Sequence, residues 1–127
     1  MNFHATMREY KQTDIASKVE GASKHEFVKI VLDELHKNLN ILSYCIKNES
    51  KTSPRKSASF AQIITALTIL MTSLDFEKGE PVASNLYNLY NYCKKEVLNG
   101  YKDQKTQGID SASGVIEDII DAWKKIN

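Results

Sequence analysis

Residues 23–48 read SKHEFVKIVLDELHKNLNILSYCIKN. Within them Phe27, Val31, Leu35, Leu39, Leu42 and Ile46 recur at intervals of four and three. That is the stripe of an amphipathic helix. Just ahead of it, Ser23 and Glu26 stand three apart, the pattern of a capping box. The spacing predicts a helix over 24–48. An isolated helix with one apolar face has little stability in water. The fold therefore turns on what the rest of the chain offers as partners.

Three further stripes follow. Residues 48–55 form a polar loop, and Ser53 before Pro54 predicts an N-cap with proline at the first helical position. The second helix is predicted over 54–77, with Phe60, Ile63, Ile64, Leu67, Leu70, Met71 and Leu74 as its core stripe. Gly79 is expected to take the left-handed conformation that closes a helix, and Pro81 to open the next. That third helix is predicted over 81–99. It has Val82, Leu86, Leu89, Cys93 and Val97 on one face and Asn99-Gly100 at its end.

Val115, Ile116, Ile119, Ile120, Trp123 and Ile126 mark a fourth helix, with Trp123 read as core. Ile109 and Ala112 keep its phase, yet Gly108 and Gly114 each cost about 1 kcal/mol in a helix interior. Composition starts this helix at Asp110, while periodicity allows Asp103 as its N-cap. Residues 1–18 are polar with scattered apolar positions, among them Met7 and Tyr10, and are too poor in apolar residues to fold alone. Four amphipathic helices with short links predict an all-α, antiparallel up-down-up-down four-helix bundle. No period of 20–50 residues repeats, which argues against a solenoid.

Composition excludes several classes of function. At 127 residues the chain is one domain, able to bury about two-thirds of its unfolded surface. Seventeen Lys plus Arg against 16 Asp plus Glu give a net charge of +1. That balance argues against a general nucleic-acid binder or a polybasic membrane module. No apolar run approaches the roughly 20 residues that span a bilayer, and the start lacks a signal-peptide layout. A soluble, cytoplasmic domain without membrane insertion is expected. Cys45 and Cys93 lie in apolar helical stretches and read as buried, reduced thiols. His4, His25 and His36 have no metal-ligand spacing. Phosphate-binding loops and nucleophile–base constellations are absent. No catalytic residue, metal or cofactor is expected.

What remains is a surplus of apolar surface. The second helix places Ile69 and Phe76 seven residues apart, opposite its core stripe. The first places Ile30 and Ile41 off its main stripe, and the third adds Tyr87, Leu98 and Tyr101. A tyrosine-rich run, Tyr87-Asn88-Leu89-Tyr90-Asn91-Tyr92, sits in the same helix; tyrosine is common at binding surfaces. Tyr90 falls in phase between the core stripe and the surplus face. Excess shared by several helices predicts a groove for a partner segment.

Residues 73–92, SLDFEKGEPVASNLYNLYNY, resemble the signature of the flagellin-specific export chaperones, the FliS family. That signature runs leucine-aspartate, glutamate-lysine-glycine, then asparagine-leucine and leucine-tyrosine-x-tyrosine. Asp121-Ala122-Trp123-Lys124-Lys125-Ile126 resembles the family's tryptophan-bearing last helix. Tyr10, Gln12, Ala22-Ser23 and Asp33 match its N-terminal pattern in order. There are departures. Glu80 stands where the family usually has a second glycine, and Lys24 where it has a proline.

The resemblance implies a four-helix bundle with an N-terminal cap segment, here residues 1–22, and favours a fourth helix spanning 103–126. It also implies binding of the disordered C-terminal region of flagellin, and docking of that cargo on the export gate, the cytoplasmic domain of FlhA. Met7 and Tyr10 match the apolar and tyrosine positions of the N-terminal segment, which influences that docking. The residues expected to contact partners are Met7, Tyr10, Ile69, Phe76, Leu86, Tyr87, Leu89 and Tyr90.

Rival readings are a generic helical adaptor and a histidine phosphotransfer bundle. The latter would need an exposed His36, but Glu34 and Asn38 replace the small and basic neighbours such a site wants. A nucleic-acid interface would use Lys47, Lys51, Arg55 and Lys56, which read better as a solvated basic loop.

Overall fold

The computed structural model describes residues 21–126 of the chain. Four helices account for most of them: α1 (Lys24–Asn48), α2 (Pro54–Thr72), α3 (Val82–Asp103) and α4 (Gln107–Lys124). Each packs on the next, and α4 returns to α1, so the four close into a ring around one core. Sequential neighbours joined by links of a few residues give the antiparallel bundle expected. Phe27, Val31, Leu35, Leu39 and Leu42 from α1 are fully buried against Ile63 and Leu67 of α2, Cys93 and Val97 of α3, and Ile109 and Ile116 of α4.

The helix starts follow their caps. Ser23 accepts the Glu26 amide, and its hydroxyl donates to the Glu26 carboxylate. Ser53 accepts the Lys56 amide ahead of a helix that opens on Pro54. The third start is built differently. The Glu80 carboxylate accepts both the amide and the hydroxyl of Ser84, supplying the anionic cap that Pro81 lacks.

Helix ends depart from the expected ones. α2 stops at Thr72, because the Ser73 amide closes on the Ile69 carbonyl and its hydroxyl on that of Leu70. The Asp75 carboxylate then accepts the amides of Glu77 and Lys78, turning the chain. The Lys78 amide, and then that of Glu77, hold its carboxyl below the usual range. Phe76 is thus on a loop. Gly79 does not adopt a left-handed conformation. Its constraint is space: a Cβ there would sit 2.6 Å from the Asp75 carbonyl oxygen.

α3 runs past Asn99-Gly100 to Asp103, where Gln104 takes the left-handed conformation (φ 54°) and closes it. Gly100 lies inside the helix because Ile109 presses on it; a Cβ would meet that side chain at 3.0 Å. α4 begins at Gln107, between the two starts considered. Of its two glycines, Gly108 has a packing reason, since its missing Cβ leaves room for Glu96 at 2.6 Å. Gly114 faces open space. We expect Gly114→Ala to stabilise the bundle by about 0.5–1 kcal/mol, since it removes only the entropic cost of a mid-helix glycine. Urea denaturation of the two proteins checks this.

Lys56 corrects the reading of the basic loop. It is 1% exposed, whereas Lys47, Lys51 and Arg55 are at the surface. Its Nζ donates to Gln104 Oε1 at 2.8 Å and to the Glu49 carbonyl at 3.3 Å. Those acceptors are the C-terminal caps of α3 and α1, so one cationic side chain ties together two negative helix ends. Arg55 instead pairs with the Glu49 carboxylate and lies 5.2 Å from the Tyr44 ring centroid.

Polar bonds also set the register of α1 on α4. Ser43 donates to Asp110 at 2.7 Å and Ser113 to Asn40 at 3.1 Å. His36 faces this seam, its Nε2 3.8 Å from a Glu117 carboxylate oxygen. It is partly buried, its side chain 29% exposed, and the charged group it faces is an anion, where a phosphotransfer histidine needs cationic neighbours. Cys45 and Cys93 are buried and unpaired, and burial pushes the Cys93 thiol up to about 12.

Candidate partner-binding surface

A helix packed between two neighbours buries a wide arc, and this corrects two of the expected contact residues. α2 lies between α1 and α3, and Ile69, on its flank, is only 4% exposed. Tyr90 is 1% exposed, in the core beside Cys93 and Val97, and desolvation raises its hydroxyl pKa well above the ordinary value. Neither residue is on a surface. Ile30 and Ile41 are also partly buried, with Ile30 packed against the core.

The core face of α3 is rotated from the one expected. Ala83, Tyr90, Cys93, Val97 and Gly100 point inward. Val82 and Leu89, assigned to the core stripe, are 59% and 40% exposed. The physical reason is Tyr90. A tyrosine can bury its ring while its hydroxyl stays near an edge. With Tyr90 turned in, Val82 and Leu89 turn out towards α4.

Outward-turned Val82 and Leu89 meet apolar residues of α4. Val82, Leu86, Leu89, Val115, Ile119 and Trp123 line an apolar cleft of about 370 Å³. A second cleft of about 200 Å³ opens beside it over Val28, Leu70, Leu74 and Ala83. Val82, Leu86 and Trp123 belong to both, so the two form one continuous apolar surface. Leu86 is partly buried and lines both parts.

Trp123 forms the wall between the clefts. It packs against the core, as expected, but is only partly buried. Its indole N–H donates to the His25 carbonyl at 3.1 Å, and its ring stacks on the His25 imidazole at 5.0 Å. His25 Nε2 lies 3.3 Å from the Trp123 carbonyl. This clip between the ends of α1 and α4 fixes the indole edge that the clefts share.

Phe76 and Tyr87 lie elsewhere on α3 and the loop before it. They are 47% and 40% exposed and meet edge to face, 6.0 Å between ring centroids. Neither lines the two clefts. Met7 and Tyr10 lie outside the described residues. The contribution of α4 escaped sequence reasoning, because Val115, Ile119 and Trp123 share the phase of its core stripe. The width of that stripe, which exceeds what one bundle core needs, was the available signal.

Among the described residues no group of three or more His, Cys, Asp or Glu could hold a metal ion, and no helix is long and apolar enough to cross a membrane. A bundle whose distinguishing feature is a two-part apolar cleft, one part between α3 and α4 and the other reaching α1 and α2, has the surface of a binding module: it can cover a partner's apolar side chains. The family model for the flagellar protein FliS matches residues 6–127. The chain belongs to the FliS family of flagellar secretion chaperones. It is 27% identical to the flagellar secretion chaperone FliS of Salmonella typhimurium, over 95% of this chain and 89% of that one. It is similar also to FliSB of Pseudomonas aeruginosa, 23% identical over 95% and 94% of the two chains. FliS of Escherichia coli is 25% identical over 91% and 85%.

Proposed function

We propose that this chaperone binds the disordered C-terminal region of flagellin in the cytoplasm. Binding covers the segment that drives filament assembly, blocks premature polymerisation and carries the subunit to the export gate, the cytoplasmic domain of FlhA. The observation that carries this reading is the two-part apolar cleft, which runs between α3 and α4 and continues past Trp123 towards α1 and α2. Leu86 and Leu89 contribute from within it, and Phe76 and Tyr87 extend the contact around α3. Met7 and Tyr10 serve the docking step at the gate.

The magnitudes agree. Ordering a disordered segment costs about 2–5 kcal/mol of the gross interaction energy. Covering a half-exposed apolar side chain returns about 1 kcal/mol. Two or three such residues would not suffice. Eight large apolar side chains are exposed among the described residues, and only Tyr44 is remote from α3, its preceding loop and the end of α4. That surplus is enough to hold a long flexible ligand and no more than a chaperone needs, since cargo must later be released.

Titration of the purified chain with a flagellin C-terminal segment, followed by calorimetry and far-UV circular dichroism, tests the reading. We expect 1:1 binding with a gain in helix content. No heat and no change in helix content would remove it.

A further inference from the structure

Beyond Leu89 the same two helices, α3 and α4, frame a second, polar pocket of about 310 Å³, lined by Tyr92, Glu96, Asp103, Lys105, Gly108 and Ser111 among others. The larger apolar cleft has a single charged residue in its lining, Asp118. Across both pockets the charges are Glu96, Asp103 and Asp118 against Lys105, a net of −2. A groove of this sign disfavours an anionic occupant and favours a cationic one.

Glu96 makes the preference local. It is partly buried and has no hydrogen bond or ion pair with any described residue. Its carboxylate lies over Gly108, where an ideal Cβ would be 2.6 Å from Oε2. A glycine at that point of α4 lets the carboxylate lie against the floor of the groove instead of being displaced to its rim. Asp103 lines the same pocket two turns on, and the Tyr92 hydroxyl meets that of Ser111 at 2.8 Å across the groove.

Resting on the chaperone reading above, we propose that the segment held between α3 and α4 is an amphipathic helix of defined charge pattern. Its apolar anchors fill the cleft around Leu86, Leu89 and Trp123, and a Lys or Arg beyond them pairs with Glu96. The spacing follows from the helix rise. Leu89 and Glu96 are seven residues apart on α3, roughly 10 Å along the axis at about 1.5 Å per residue. A cargo helix lying along the groove spans that distance in about seven residues, which returns to the same face. The cation therefore stands about one heptad from the last apolar anchor.

Three synthetic helical peptides test this. They share the apolar anchors and carry Lys, Gln or Glu one heptad away, with the order of anchors and charge also reversed in a second set. Fluorescence anisotropy at low and moderate salt measures their affinity for the full chain and for Glu96→Gln. We expect the Lys peptide to bind about fivefold more tightly than its Gln counterpart in one of the two orders, the scale of a single exposed ion pair. The preference should shrink with salt and vanish in Glu96→Gln.

Equal affinities for all three peptides, a preference untouched by Glu96→Gln, or a stable dimer of the free chain that buries the groove would each overturn the proposal. The two readings fail separately. Binding of the flagellin segment with no charge preference among the peptides would sink only the charge pattern. Charge-selective peptide binding without flagellin binding would sink only the cargo assignment.

Discussion

The double variant Val82→Asp, Leu89→Glu should stay folded and lose about 100-fold in affinity for the flagellin segment. Both side chains are largely exposed, at 59% and 40%, so the bundle does not depend on them. Asp at position 82 enters the first turn of α3, where the helix dipole favours an anion. Glu at 89 is a good helix former at a solvent-facing position. Surface changes of this kind alter stability by about 0.5 kcal/mol or less. Binding is another matter. Both residues line the larger cleft, beside Leu86 and Trp123. Any segment seated there would have to cover two carboxylates where it now covers apolar surface. Loss of about 1–1.5 kcal/mol of apolar contact at each site accounts for the expected factor. Calorimetry gives the affinity and urea denaturation the stability. An unfolded variant would place Val82 and Leu89 in the core; a folded variant with unchanged affinity would move the binding surface elsewhere.

Ile69→Asp should do the opposite, unfolding the bundle or bringing it close to unfolding. Ile69 is 4% exposed on α2, and an aspartate introduced there has to be buried with no partner provided for it. Such a charge costs about 3–5 kcal/mol. A domain of this size is stable by about 5–15 kcal/mol, so most or all of the margin goes. Phe76→Ser, seven residues further on, is the control. Phe76 is on a loop, 47% exposed, and its loss should shift the urea midpoint little. The two residues share a helical phase in the sequence but not a helix in the fold, and only their burial separates the two outcomes.

That contrast also shows what could be read from the residues. α1 was legible because its caps and its leucine series agree, and Phe27 through Leu42 are buried as their spacing predicts. Ile69 was not, since a stripe assigns one face to a helix while a bundle member between two neighbours buries more. α3 was misphased because leucine and valine were set inward and tyrosine outward; Tyr90 is buried and Leu89 is not. Helix ends were decided by side-chain bonds to the backbone, made by Ser73, Asp75 and Glu80, and by the backbone turn at Gln104. Periodicity carries no trace of them. Half of the candidate cleft was hidden in the same way, because α4 uses one stripe both to pack the core and to wall the groove.

The chain has a single tryptophan, and it stands between the two clefts. Its emission, followed during titration with a tryptophan-free flagellin C-terminal segment, reports whether cargo sits in the cleft. We expect a saturable blue shift at one equivalent, as cargo covers the Trp123 indole. Binding seen by calorimetry with no change in Trp123 emission would contradict that placement.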